Sequence, residues 1–185
     1  MAKIVLSNLI LHNSGMYIIV GLGNPGGAYA RTRHNTGRIA ADFLVDKVSG
    51  LPAGKAGFKV FTPDTYMNKS GQAVAKIVKS KKVAQKLIVI YDDLDLELGT
   101  LKISFNRSSG GHKGLESIIR AIKTKEFIRI RIGIGKKVDV EKHILGKFKK
   151  SEIEILKKVF KRAQGAVETI VTRGLTNAMT EFNSL

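Results

Sequence analysis

Cysteine and tryptophan are absent from the 185 residues, proline occurs three times, and 15 acidic side chains face 32 basic ones. Without cysteine there are no disulfides and no thiolate metal sites, and nothing points to an oxidising compartment. No apolar run approaches the ~20 residues of a membrane span, so a soluble, cytoplasmic protein with no membrane partner is expected. Aromatic residues make up only 6% of the chain. That scarcity disfavours a single-strand binder built on stacking platforms and favours contacts to backbone phosphate. Residues 1–15 carry one lysine and a short apolar stretch interrupted by Ser7 and Asn8, with no small-residue cleavage site, so they read as an extension or a misassigned start rather than a signal peptide. One domain is expected over residues 16–185.

The formal net charge is +17, and the excess is spread along the chain. Arg120 to Ala163 alone holds 15 basic and 5 acidic residues. A folded protein with this balance attracts polyanions, nucleic acid above all; a merely solvated cationic surface is the plainer alternative.

Apolar, β-branched runs recur at Tyr17 to Val20, Leu87 to Tyr91, Leu101 to Phe105 and Ile128 to Ile134. Helical spacing appears over Gly37 to Val48, Ser70 to Ser80 and Leu115 to Ile122. The alternation predicts a single α/β domain with a twisted, mostly parallel (mixed) sheet flanked by helices. A long amphipathic C-terminal helix is expected from Ser151, with Ser151 and Glu154 as a capping box and Gly174 at its end. In Ile128-Arg129-Ile130-Arg131-Ile132 the strict alternation predicts one buried face and two arginines available for phosphate contact or solvent.

Gly21-Leu22-Gly23-Asn24-Pro25-Gly26 spells a dinucleotide fingerprint. Its context fails, because Gly26 leads into a loop-like stretch to Gly37, while Asp42 and Asp46 fall inside the next helix rather than at a second strand end. What remains is a strand-end turn whose Pro25 fixes the direction of Asn24, with His34 ten residues later. The strand Leu87 to Tyr91 ends in Asp92-Asp93-Leu94-Asp95, at the same edge of the sheet. A carboxylate that holds one imidazole nitrogen leaves the other free as a base toward water. Two other readings of these residues stand beside it. The aspartates with His34 and His112 suit a metal, and the acidic cluster suits loop capping. In Thr65 to Gly71 either Asn68 or Ser70 is expected to cap the following helix. Asn106 to Gly114 is a glycine-rich basic loop before a helix, physically suited to an anion.

Taken in order, these segments closely resemble the bacterial peptidyl-tRNA hydrolase family. The pieces are Ile19 to Gly26, Tyr29 with Thr32 to Gly37, Tyr66 to Gly71, Asp92 to Leu96, Gly110 to Gly114, Arg129 to Gly135 and Leu145 to Phe148. The resemblance implies a monomeric enzyme that cleaves the ester between a peptide and the 3′ ribose of tRNA, recycling tRNA from aborted translation, with no metal or organic cofactor. It implies a catalytic set of His34 as base, Asp92 as its orienting carboxylate and Asn24 as the group distinguishing blocked peptidyl-tRNA from aminoacyl-tRNA. Tyr29, Tyr66, Asn68 and Lys113 would contact the peptide and the tRNA 3′ end, and the basic surface the acceptor stem. Three departures accompany it. Lys113 stands where the family usually has asparagine, where its charge either adds a phosphate contact or disturbs the amide network. Ser49 to Thr62 has room for little more than one strand such as Phe58 to Phe61, and the first fifteen residues have no counterpart. These keep open a second reading, a catalytically weak RNA-binding homologue like plastid relatives that assist intron splicing.

Overall fold

The computed structural model describes residues 16–48 and 57–184. The N-terminal extension and most of the shortened segment before Phe58 lie outside these residues. Five strands form one sheet in the order β2-β1-β3-β5-β4: β1 (Tyr17–Gly21), β2 (Phe58–Phe61), β3 (Leu87–Asp93), β4 (Leu101–Phe105) and β5 (Ile128–Gly133). Neighbours pair in parallel except β4, which runs antiparallel to β5 at one edge; among the described residues β2 is the other edge.

β1 and most of β3 read as continuous apolar runs because both faces are covered. One face of the sheet packs on α1 (Thr36–Val48), α6 (Lys150–Arg173) and α7 (Leu175–Asn183) through Ile19, Ile88, Ile90, Ile130 and Ile132, which meet Leu44, Phe160, Ala163 and Val167. The other packs on α2 (Ser70–Val74) and α4 (Lys113–Ile122) through Val20, Val89 and Tyr91, which meet Val74, Leu115 and Ile118. Two short helices complete the chain, α3 (Lys81–Ala84) and α5 (Val140–Leu145).

Four local expectations are corrected. The helix expected over Ser70 to Ser80 ends at Val74, because Lys76 and Ile77 donate to the third residue back and tighten the chain into turns. Neither Asn68 nor Ser70 caps it: a turn of 3₁₀ helix at Met67–Lys69 supplies the entry, and neither boundary has a side-chain cap. The long helix starts at Lys150, one residue before the expected start, and it is Glu152 that accepts the Lys149 backbone N–H at 2.6 Å. Arg129 is fully buried, since β5 is an inner strand; its guanidinium donates to the carbonyls of Arg107 and Ser108 and lies over the Phe127 ring. Arg131 is tied to Asp93 at 2.7 Å. The alternation reported burial correctly for the isoleucines, but tertiary hydrogen bonds decided the arginines.

The register brings the carboxyl ends of β1, β3 and β5 together, where an open parallel sheet usually binds its ligand. The three glycines of the opening run serve this end. A Cβ at Gly21 would stand 2.4 Å from the Gly37 carbonyl oxygen, and one at Gly23 would stand 3.0 Å from Asn35 Cγ. Gly26 has φ +95°, which turns the chain back toward His34. The spacing that imitates a nucleotide fingerprint therefore combines close packing of α1 and the histidine turn at Gly21 and Gly23 with a left-handed turn at Gly26.

Candidate active site

His34 sits in a 3₁₀ turn, Arg33–Asn35, directly before α1. The turn is pinned from a distant part of the chain. Arg33 donates to the Lys147 carbonyl, binds both oxygens of Glu152 at 2.8 Å, and stacks over Phe148. In the Leu145-Gly146-Lys147-Phe148 motif Lys147 and Phe148 thus hold the histidine turn, while Leu145 lines the cleft beside His34.

His34 Nδ1 donates to Asp92 Oδ2 at 2.9 Å, and both residues are buried. The other carboxylate oxygen, Oδ1, accepts from His112 Nε2 at 3.2 Å. Opposite its bonded nitrogen, the His112 ring accepts backbone N–H bonds from Gly114 and Leu115 at 3.2 and 3.3 Å, which makes it the N-cap of α4. Nδ1 of His112 is therefore an acceptor and Nε2 its protonated nitrogen, so Asp92 receives a donor on each oxygen. That leaves His34 Nε2 as the unprotonated nitrogen at the cleft. Burial by itself would raise the Asp92 carboxyl; the attraction of His112 whenever its ring is protonated and its hydrogen bond, with the same two effects from His34, outweigh it and hold the group well below the ordinary carboxylate range.

The anion reading of the loop before α4 changes accordingly, because the His112 ring already occupies the first N–H groups of the helix. Of the acidic cluster, only Asp92 reaches His34. Asp93 accepts from Asp95 N and Arg131 in structural bonds, while Asp95 points to solvent near Lys136. Among the described residues His34, Asp92 and His112 are the one group spaced to approach a metal, yet direct hydrogen bonds already join all three.

Asn24 is buried and held from both sides. Its backbone N–H donates to Asn35 Oδ1 and its carbonyl accepts from Asn35 Nδ2, both at 2.9 Å, and its Oδ1 accepts from Met67 N at 2.8 Å. These bonds leave Nδ2 as the group free to donate. Adjacent residues thus divide the work: His34 meets the carboxylate and Asn35 aims Asn24. Asn35 and the N-capping role of His112 are functional features that motif reading missed. The signal available was a buried-type amide beside the histidine and a histidine directly before a helix.

A cleft of about 500 Å³ is lined by Asn24, His34, Tyr66, Asn68 and Lys113. A second space of about 640 Å³ adjoins it at His34 and Lys113 and is lined by Asp92, Arg107, Arg129 and Arg131. Asn68 and Lys113 are exposed, and Tyr66 is 56% exposed and meets Tyr29 edge to face at 6.5 Å. Tyr29 stands at the rim, outside both sets of lining residues. A water at His34 Nε2 with two amide side chains nearby is an arrangement for hydrolysing an activated acyl bond.

The sequence model of the family described as peptidyl-tRNA hydrolase matches residues 18–185. The peptidyl-tRNA hydrolase of Thermoanaerobacter sp. (strain X514) is 42% identical over 91% of this chain and its own full length. That of Thermodesulfovibrio yellowstonii is 41% identical over 92% of this chain, again over its full length. A crystal structure of peptidyl-tRNA hydrolase from Acinetobacter baumannii superposes with a TM-score of 0.84 at 33% identity, covering 94% of this chain and 97% of its own.

Proposed function

Because the chain belongs to the peptidyl-tRNA hydrolase family and is an enzyme of that kind, we propose that His34 and Asp92 activate the water that cleaves the ester of peptidyl-tRNA. The observation that carries this is the buried 2.9 Å bond at His34 Nδ1, with Nε2 left open to the cleft. Nε2 takes a proton from water as the water oxygen attacks the ester carbonyl carbon; the imidazolium then returns that proton to the departing 3′ oxygen of the ribose. Asp92, ionised and fully buried, stabilises the imidazolium between the two steps. Asn68 donates to the oxygen on which charge develops. His112 is a positioning residue that fixes the second oxygen of Asp92. The family relationship favours turnover over the RNA-binding alternative.

Asn24 selects the substrate. With Oδ1 committed to Met67 N, it presents only N–H donors, which suit a peptide carbonyl and leave a free ammonium without an acceptor. The wild type is expected to release tRNA from N-blocked aminoacyl-tRNA at least about 100-fold faster than from the unblocked form, because a site built around one hydrogen bond rejects what cannot make it. Asn24→Asp puts an acceptor in place of the donor and should narrow that ratio by about tenfold or more. Equal release from both substrates by the wild type would overturn the assignment.

Tyr29 and Tyr66 offer an aromatic pair at the rim for the 3′ end of the tRNA, and the protein works as a monomer in the cytoplasm. Lys113 adds a phosphate contact along the acceptor stem, as no acid lies within ion-pair distance of it among the described residues. In initial-rate assays Lys113→Asn should raise KM several-fold and flatten its salt dependence by about one unit of slope, with kcat within about twofold. A higher kcat in this variant would show instead that the lysine disturbs the amide network.

A further inference from the structure

The end of the sheet opposite His34 carries its own block of positive charge. Residues 79–86 lead into β3 and hold Lys79, Lys81, Lys82 and Lys86 with no acid; residues 123–126 lead toward β5 and hold Lys123, Lys125 and Glu126. The parallel pairing of Ile88 with Ile128 sets the two segments side by side, and Gln85 Nε2 donates across them to Glu126 at 3.2 Å. Lys79, Lys81, Lys82, Lys123 and Lys125 are exposed, and none has an ion-pair partner among the described residues. Lys86 lies over the Tyr17 ring at 4.3 Å.

Two features argue that this charge is retained for use. Lys123 ends α4 in the left-handed conformation, φ 54° and ψ 32°, where glycine carries no side-chain penalty. Lys81 and Lys82 are consecutive and exposed, in a short helix whose first turn has no acidic residue. The block is also remote from the chemistry. His112 caps the other end of α4, and ten helical residues span about 15 Å. A duplex seated against His34 thus approaches from the far end of the sheet.

We infer that this surface is a second nucleic-acid contact that takes the phosphate backbone of an RNA duplex, separate from the substrate cleft. A lipid surface fits it less well, because among the described residues the exposed large apolar side chains, Tyr66, Val138, Val140, Leu145 and Ile155, lie outside it. The inference is independent of the hydrolytic assignment, since it concerns a different end of the molecule.

The test uses a blunt 20-base-pair RNA duplex, which carries no acylated 3′ end, and the variant with Lys81→Gln, Lys82→Gln, Lys123→Gln and Lys125→Gln. Its control neutralises the same number of exposed lysines on α6: Lys150→Gln, Lys157→Gln, Lys158→Gln and Lys161→Gln. The first variant should bind the duplex at least about tenfold more weakly and lower the salt slope by about 2 to 4, while hydrolysis of a blocked acyl-minihelix stays within about twofold. Thermal melting confirms the fold of both variants. Duplex affinity unchanged in the first variant, or equally reduced in the control, would overturn the inference. So would a parallel loss of minihelix hydrolysis, which would make the lysines part of the substrate track. Binding of the wild type to phosphatidylglycerol vesicles but not to the duplex would also overturn it.

Discussion

His34→Ala and Asp92→Asn are both expected to lower kcat by about 10³-fold, within the range of general-base assistance and of a misplaced tautomer, though for different reasons. The alanine removes the base. The asparagine keeps the shape but cannot keep the proton arrangement, because Asp92 accepts from His34 on one oxygen and from His112 on the other. An amide has one acceptor oxygen and one donor nitrogen, so one of the two rings must turn its N–H away. If His34 changes tautomer, Nε2 carries the proton and the base is lost. If His112 changes, its Nδ1–H faces the backbone N–H groups of Gly114 and Leu115, and the cap of α4 is lost.

Single-turnover rates with blocked acyl-tRNA separate these outcomes, and KM should move little because neither change touches the phosphate contacts. The pH profile adds a second readout. Asp92 is held below the ordinary carboxylate range, so the stability it contributes is present above the unfolded carboxyl value of about 4 and is lost only as pH falls toward its own lower value. Protonation of Asp92 should therefore cause no fall in activity above about pH 5. Wild-type turnover in Asp92→Asn would sink the pairing as the source of catalysis.

Gly37→Ala should destabilise the protein by about 3 kcal/mol or more, through overpacking at a site with no room to relax. The added Cβ would stand 2.1 Å from the Ile90 carbonyl oxygen and 2.8 Å from Leu22 N. Those two atoms are hydrogen-bonded to each other at 3.0 Å, and Arg38 N donates to Leu22 O at 2.8 Å. The neighbours are backbone in the sheet, so α1 must lift away from β1 and β3. For a chain of this size the loss corresponds to a fall in melting temperature of about 10 °C. Because His34 lies three residues before Gly37, the shift also moves the base from Asp92, and kcat should fall with stability. Calorimetry alongside kinetics checks both; a melting temperature within about 2 °C of wild type would show that the packing here is loose.

Much of the site was legible before any coordinates. Asn24 and Asp92 stood at strand ends and His34 on an adjacent loop in the ordered motifs, and the structure sets His34 between two adjoining spaces, one lined by Asn24 and the other by Asp92. Asn68 was legible as a candidate and lines the cleft, while its competing role as a helix cap was removed only by the 3₁₀ turn at Met67–Lys69. The loop at Asn106 to Gly114 was legible as a helix entry, but its anion reading depended on where the His112 ring pointed. Arg129 was misread because alternation along one strand carries no information about a loop twenty residues earlier in the chain.

What the sequence determined by itself was the set of elements and their faces, since apolar periodicity is a local property that burial imposes on each helix and strand. The α/β class and the mostly parallel sheet follow at that level. Only the tertiary structure decided the partners: Asp92 shared between His34 and His112, Asn35 aiming Asn24, and Arg33 anchoring the histidine turn to Glu152. Those bonds join residues 11 to 119 positions apart. They form only when parallel register and the crossing of α1 over the strand ends bring the polar groups together. There each buried donor needs an acceptor, and periodicity does not say which one it finds.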